Sequence, residues 1–142
     1  MNETMKTFLY PESLIKEYEH WVVLLRPKQP TIGALVVVHK SDATALSQIC
    51  ADSFTELKII TDEIETALGD LFDFQKINYM MLMMVDPHVH YHVIPRYEQP
   101  KDFQGIKCVD KGWPALPQLG DALPLDGGQM ANLQKLIKSR WQ

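Results

Sequence analysis

The sequence predicts an α+β fold in which one long helix packs on an antiparallel β-sheet and a second helix follows near the C-terminus. Two observations indicate this class. Short apolar runs bounded by proline or glycine occur in two pairs, and long amphipathic stretches follow each pair. The resulting order is strand, strand, helix, strand, strand, loop, helix, which is typical of an α+β domain around an antiparallel sheet.

The first pair of predicted strands covers Trp21–Leu25 and residues 35–38. Both are short continuous apolar runs, as buried strands usually are. The segment between them, residues 26–33, contains two prolines and a glycine and therefore predicts a connecting loop.

A long helix is predicted over residues 44–68, where apolar side chains recur at the spacing of one buried helix face. Ser41, Asp42 or Thr44 is expected to cap its start and Gly69 to end it. The apolar positions are Leu46, Ile49, Cys50, Phe54, Leu57, Ile60, Ile64, Ala67 and Leu68.

Residues 77–84 and 88–94 form the second predicted strand pair, and Val85-Asp86-Pro87 between them is short enough for a hairpin. We interpret the apolar run at residues 80–84 as a strand buried on both faces, in preference to an adaptable wall for an apolar ligand. A last amphipathic helix is predicted over residues 129–141.

The chain has 142 residues, of which 46% are hydrophobic. This length fits one domain with a core that needs no disulfide staples. We therefore expect a single domain over residues 1–142, with its core at about residues 14–97. Residues 98–142 would form a Pro/Gly-rich loop and the C-terminal helix, since five of the seven glycines lie there.

Charge and cysteine content exclude several classes of function. Lysine and arginine total 14 against 18 acidic residues, for a net charge of −4, which argues against a surface for duplex nucleic acid. No apolar run approaches the ~20 residues of a membrane span, and no secretory signal is evident. Cys50 and Cys108 lie far apart without CxxC spacing. We expect a cytoplasmic protein without a membrane partner.

Three of the five histidines, His88, His90 and His92, occupy alternate positions in one predicted strand. Alternate residues share a face and lie about 6.5–7 Å apart, so the three imidazoles point the same way. One hypothesis is nucleophilic catalysis, in which a neutral imidazole attacks phosphorus and forms a phosphoramidate intermediate. The flanking histidines would then bind phosphoryl oxygens or deliver a proton.

A metal-dependent hydrolase is the alternative use of the same three histidines. Catalytic zinc sites often combine three protein ligands with an open water position. Three residues on one straight strand lie in a row, however, so tetrahedral coordination would need a further ligand, such as His39, Asp86 or Asp42. A third hypothesis is a pH-sensitive surface for a protein partner.

The run His88-Val89-His90-Tyr91-His92-Val93-Ile94-Pro95-Arg96 resembles the signature of the histidine triad (HIT) family, His-φ-His-φ-His-φ-φ, commonly followed by Pro-Arg. Residues 32–40 resemble the family's Pro-Gly-His-φ-φ-φ-φ-Pro-Lys segment, and residues 76–79 resemble its Asn-bearing strand. The similarity covers roughly residues 14–97.

This resemblance implies a nucleotide hydrolase or transferase that acts at an α-phosphate without a metal or other cofactor. His90 would be the nucleophile that carries a nucleotidyl-histidine intermediate, with His88 and His92 assisting. Asn78 and Arg96 would bind nucleotide or phosphate, Arg96 through its planar guanidinium. Members of the family are often homodimers.

The sequence also departs from the family pattern. Ala34 stands where many relatives have another histidine, Arg26 near an Asn or Asp that contacts ribose, and Asp42 where a basic or imidazole side chain is common. Residues 83–87 replace the Gly-Gln-Ser/Thr stretch that often lines the phosphates. These differences leave open a nucleotide-binding protein with weak or lost catalysis.

Overall fold

The computed structural model describes residues 1–141 and contains a five-stranded antiparallel sheet. In chain order its strands are β1 (Leu14–Glu17), β2 (Trp21–Leu25), β3 (Leu35–His39), β4 (Lys76–Met80) and β5 (His90–Arg96). The spatial order is β1-β2-β3-β5-β4. A separate hairpin pairs β6 (Lys101–Phe103) with β7 (Ile106–Cys108). The helices are α1 (Glu3–Thr7), α2 (Ala51–Phe72) and α3 (Gly127–Ser139).

The predicted α+β class is confirmed: the main sheet is antiparallel, one long helix lies beside it and a shorter helix follows near the C-terminus. β2 coincides with the predicted strand, whereas β1, α1 and the β6–β7 hairpin were not predicted. No helix within residues 1–141 combines the length and the apolar character that a membrane span requires.

The bounds predicted for the long helix were wrong at both ends. Ile49 and Cys50 have extended backbones, so α2 begins at Ala51, after a short 3₁₀ helix at Leu46–Gln48. None of the three predicted capping residues therefore caps it. At the other end the helix continues through Gly69, and Asp73 ends it by adopting a left-handed conformation with φ of 50°.

The prediction that residues 80–84 form a strand buried on both faces was also wrong. β4 ends at Met80, and the connection to β5 spans residues 81–89 instead of a three-residue turn. Met84 is 79% exposed and Val85 is 94% exposed. The cross-strand register of β4 and β5 stops at the pair Met80 and His92, so the following residues leave the sheet.

The two faces of the sheet have separate apolar clusters. The larger cluster combines alternate sheet residues with buried residues of α2 and α3, including Ile60, Ile64, Leu133 and Ile137. The smaller cluster, on the opposite face, contains Val22, Leu24, Val36 and Val38 together with Met5 and Phe8 from the N-terminal segment. Because successive side chains of β2 and β3 point to opposite faces, their continuous apolar runs supply apolar residues to both clusters.

Candidate active site

His90 and His92 of β5 lie on the sheet face that carries the smaller apolar cluster. The register pairs His90 with Val38 and His92 with Val36, and both valines belong to that cluster. The two imidazole centroids are 5.0 Å apart. His88 precedes β5 and lies in the connection from β4. The strand thus brings His90 and His92 side by side, with His88 next to its start.

Hydrogen bonding assigns the tautomer of His90. Its Nδ1 lies 2.6 Å from the backbone carbonyl oxygen of His88. A carbonyl can only accept, so Nδ1 carries the proton and donates it. The lone pair of a neutral ring is then on Nε2, which is the arrangement that a nucleophilic imidazole requires. The side chain is buried, with 1% of His90 exposed.

Thr4 in α1 is the hydrogen-bond partner of His88, and its hydroxyl is compatible with either tautomer of the ring. The Thr4 hydroxyl oxygen accepts a hydrogen bond from the His88 backbone N–H at 3.3 Å and lies 2.9 Å from the ring Nδ1. The hydroxyl can donate to Nδ1 of a neutral ring whose proton is on Nε2, and it can equally accept from an Nδ1–H. A hydroxyl can also accept from a protonated ring, so this contact serves both protonation states of His88.

Arg26 is the hydrogen-bond partner of the His92 ring. Its Nε donates to His92 Nδ1 at 3.5 Å, which leaves the ring proton on Nε2. The pKa of His92 is lowered to about 4, chiefly by burial and further by the charges of His90 and Arg26. His92 is therefore neutral near pH 7 and presents an Nε2–H donor.

A phenylalanine of the N-terminal segment covers the two buried histidines. The Phe8 ring centroid is 5.9 Å from that of His90 and 5.7 Å from that of His92. Asn2 fixes this segment to the sheet by donating to the carbonyl oxygens of His39 and Ser41. Thr4 and Phe8 were not predicted, because the only local signal was Asn2 and Glu3 at the start of a five-residue helix.

Asn78 and Arg96 contact each other at the other end of β5. Arg96 Nη1 donates to Asn78 Oδ1 at 2.8 Å, and its Nε donates to Asp110 Oδ2 at 2.7 Å. Arg96 is 4% exposed. Arg96 is six residue steps along β5 from His90, or roughly 20 Å. Asp110, which neutralises this guanidinium, was not predicted because it comes from the loop-rich tail.

The comparisons with known proteins identify a family and a fold for this chain. The HIT domain model matches residues 9–99. The chain belongs to the HIT family. Among the curated proteins, none matches this HIT chain. The triad motif and the sheet on which it lies are therefore those of a recognised family, as the resemblance in the sequence predicted.

Solved structures of other HIT proteins have the same fold. The histidine triad protein blr8122 from Bradyrhizobium japonicum matches with a TM-score of 0.76 and 18% identity, over 100% of this chain and 97% of the other. A histidine triad protein from Marinobacter aquaeolei VT8 matches with a TM-score of 0.76 and 18% identity, over 99% and 94%. The C. elegans NitFhit protein matches with a TM-score of 0.66 and 18% identity, over 91% of this chain and 27% of that chain.

The residues considered as a fourth metal ligand do not join the HIT triad. His39 lies on the opposite sheet face, where its Nε2 is 2.7 Å from Ser53 Oγ of α2. Asp42 is exposed and Asp86 lies in the connection before β5. Within residues 1–141, Glu19, His20 and Glu56 are the group with the spacing of metal ligands. Glu56 there accepts three backbone N–H groups of the β1–β2 turn.

Proposed function

We propose that this HIT protein is a nucleotidyl hydrolase or transferase that acts at the α-phosphate of a nucleotide conjugate through a nucleotidyl-histidine intermediate on His90. The hydrogen bond from His90 Nδ1 to the His88 carbonyl carries this proposal, because it leaves a lone pair on Nε2. His92 has an Nε2–H donor, and a doubly protonated His88 ring has one too; such donors complement the oxygens of a phosphate.

In the proposed reaction, His90 Nε2 forms a bond to the α-phosphorus as the bond from phosphorus to the leaving group breaks. The leaving group departs with that electron pair and takes the Nε2 proton of a doubly protonated His88 ring. The neutral ring that results keeps its proton on Nδ1, from which the Thr4 hydroxyl can accept. His92 Nε2–H binds a phosphoryl oxygen. Water or another acceptor then attacks phosphorus, the electron pair returns to Nε2, and the acceptor's proton returns to His88.

The nucleotide contacts that we propose involve Asn78 directly and Arg96 indirectly. Asn78 pairs with Ile94 in the register and so lies on the same sheet face as His92. Its Oδ1 accepts from Arg96, which leaves the Nδ2–H₂ group as a donor for a ribose or phosphate oxygen. Arg96 then acts as a positioning residue, since Asp110 already neutralises its charge.

The variant His90→Asn tests the nucleophile. Asparagine keeps a donor for the His88 carbonyl but has no nucleophilic nitrogen. With adenosine 5′-phosphoramidate as substrate we expect turnover to fall at least ~10³-fold, and His88→Ala and His92→Ala to cost less, about 10²-fold. Wild-type protein denatured at alkaline pH during turnover of ³²P-labelled substrate should carry the label on His90. Undiminished turnover by His90→Asn would overturn the proposal.

A nucleotide-binding protein without catalysis is the second candidate, and the Phe8 ring over His90 is the observation that favours it. In that case AMP would bind, as measured by calorimetry, whereas no substrate would turn over in wild-type protein. If wild-type protein turns over substrate and His90→Asn does not, the protein is an enzyme and not only a nucleotide-binding protein.

We also propose that the chain forms a homodimer in the cytoplasm. β4 is an edge strand, and the connection that follows it exposes Leu82, Met84 and Val85. Apolar side chains exposed next to a free strand edge are typical of an interaction surface. Cys50 and Cys108 are both free thiols, which suits a reducing compartment.

A further inference from the structure

Arg26 is a buried cation without a carboxylate partner. The residue is only 8% exposed, and within residues 1–141 no aspartate or glutamate forms an ion pair with it. Arg96, the other buried arginine, is paired with Asp110. Burial of an unpaired charge is unfavourable unless another group compensates it. Within residues 1–141, Arg26 therefore has hydrogen-bond acceptors but no carboxylate that balances its charge.

The hydrogen bonds of Arg26 leave part of its guanidinium available. Nε donates to His92, Nη1 to the Lys28 carbonyl at 2.7 Å and Nη2 to the Leu119 carbonyl at 3.2 Å. Because each terminal nitrogen carries two N–H groups, one remains on Nη1 and one on Nη2. Two terminal N–H groups on one planar fork are the arrangement that binds two oxygens of a phosphate.

A cavity of about 200 Å³ adjoins this guanidinium and is lined by Thr7, Phe8, Arg26, Pro27 and Lys28. Sites that enclose a whole drug-sized ligand usually measure ~300–1,000 Å³, so this cavity fits one chemical group of a substrate and not a complete nucleotide. Phe8 and Arg26 both contact His92, which places the cavity next to the triad. Lys28 adds a second, exposed cation with no carboxylate partner among the described residues.

We propose that Arg26 and Lys28 form an anion subsite for a second phosphate group of the substrate, beyond the phosphate that His90 attacks. This inference rests on the proposed function and deepens it, since it names a substrate class with at least two phosphates. The second phosphate could belong to the leaving group or to the nucleoside. In either case it supplies the counter-charge that Arg26 lacks.

Calorimetry with four probes tests the subsite. Pyrophosphate against inorganic phosphate represents a second phosphate on the leaving group, and adenosine 3′,5′-bisphosphate against AMP represents one on the nucleoside. In wild-type protein we expect at least one bisphosphate probe to bind about tenfold more tightly than its monophosphate partner. Arg26→Gln should reduce that ratio to about one, and Arg26→Lys should restore part of it.

Lys28→Gln keeps the test decisive if Arg26→Gln does not fold, because Lys28 is exposed. It should lower the ratio about threefold. Lys135→Gln removes another exposed cation, on α3, and should leave the ratio unchanged. Equal binding within both probe pairs in wild-type protein, or an unchanged ratio in the Arg26 and Lys28 variants, would overturn the subsite.

Failure of the proposed function has a different signature. The nuclear magnetic resonance signals of the His90 ring report whether AMP reaches the triad. If AMP leaves them unchanged, the proposed function fails, and the ratio of pyrophosphate to phosphate affinity still decides the subsite. If AMP shifts them while both affinity ratios equal one, the function stands and the subsite fails.

Discussion

His90 and His92 are separated by one residue, yet their Nδ1 atoms have partners of opposite character. His90 Nδ1 donates to a carbonyl, whereas His92 Nδ1 accepts from a guanidinium. His90 and His92 therefore have different tautomers, although they lie in the same strand. The His88 carbonyl, inside the motif, and Arg26, outside it, produce this difference, which is why a repeated histidine can supply both a lone pair and a proton donor.

The lowered pKa of His92 predicts a loss of stability in mild acid. Its folded value of about 4 lies below the usual 6.5, chiefly because of burial. Between these values the unfolded chain binds a proton that the folded chain does not, so the free energy of unfolding falls as the pH decreases from 6.5 towards 4. Burial also lowers the pKa of His39, which contributes in the same direction. Urea unfolding across this pH range measures the effect.

His92→Asn is the matched variant for this prediction. Asparagine retains an oxygen that can accept from Arg26 but does not titrate. Its free energy of unfolding should decrease less than that of wild-type protein as the pH falls through this window. Parallel pH profiles for the two proteins would contradict the assignment of the low pKa to His92.

The sequence predicted the shared strand face of His90 and His92, but it wrongly placed His88 in the same strand and did not predict the partners of the three histidines. Alternation in a strand is a local property, so it is visible in residues 88–92 alone. Thr4 is 84 residues from His88, and Arg26 is 66 residues from His92. Contacts over such separations depend on the packing of β2 and α1 against β5, which no periodic pattern reports.

At the scale of elements, α1 and the residue that follows it cover the triad. His90 is 1% exposed and the Phe8 ring lies 5.9 Å from its ring, so the proposed substrate reaches His90 only after a rearrangement. A site that is open only part of the time binds with reduced apparent affinity. We expect Phe8→Ala to raise kcat/KM severalfold and to lower the free energy of unfolding by about 3 kcal/mol. Steady-state kinetics and urea unfolding measure the two effects.

Met5→Ala provides the control for this prediction. Met5 is buried in the same apolar cluster, and its truncation also removes packing between α1 and the sheet. It leaves the Phe8 ring over the histidines, so stability should fall without a comparable gain in kcat/KM. Equal gains in both variants would show that general loosening of the segment, and not the Phe8 ring, limits access.

The buried pair of Arg96 and Asp110 joins β5 to the tail. Asp110 also accepts from the backbone N–H groups of Tyr97 and Gly112. We expect Arg96→Met to lower the free energy of unfolding by about 3–5 kcal/mol, because it leaves a buried carboxylate without its cation. The double variant Arg96→Met, Asp110→Asn should recover part of that loss. A single variant as stable as wild-type protein would contradict the prediction.

Elements with long periodic patterns were predictable, and short ones were not. α2 was found from its stripe of apolar residues, although its first predicted turns are extended or 3₁₀ because the Gln48 side chain accepts from the backbone N–H groups of Thr44 and Ala45. β1 has four residues and α1 has five, too few for a recognisable period. The prediction of a buried strand at residues 80–84 was wrong because apolar character alone does not show whether another layer covers the segment.

For the whole molecule, the exposed edge of the sheet predicts self-association. Gln134 of α3 donates to the Leu14 carbonyl at the β1 edge, whereas β4 has β5 as its one neighbour in the sheet. We expect a dimer at micromolar concentration by size-exclusion chromatography with light scattering. Val85→Lys should raise the dissociation constant at least ~tenfold by placing charge in the contact.

Leu116→Lys is the control for the dimer, because Leu116 is 75% exposed but lies in the tail. It should leave the dimer intact. A wild-type chain that remains monomeric at all concentrations tested would refute the expectation, as would dissociation by both variants.

The exposed connection between β4 and β5 also makes the protein sensitive to oxidants. The thioether of Met84 is open to solvent, whereas Met5 is 3% exposed within the apolar cluster. Peroxide converts accessible methionine to a polar, chiral sulfoxide, and methionine sulfoxide reductases reverse the change. Mild peroxide should therefore modify Met84 long before Met5. The mass of the peptide that contains Met84 thus becomes a footprint, which reports whether another surface shields this loop in solution.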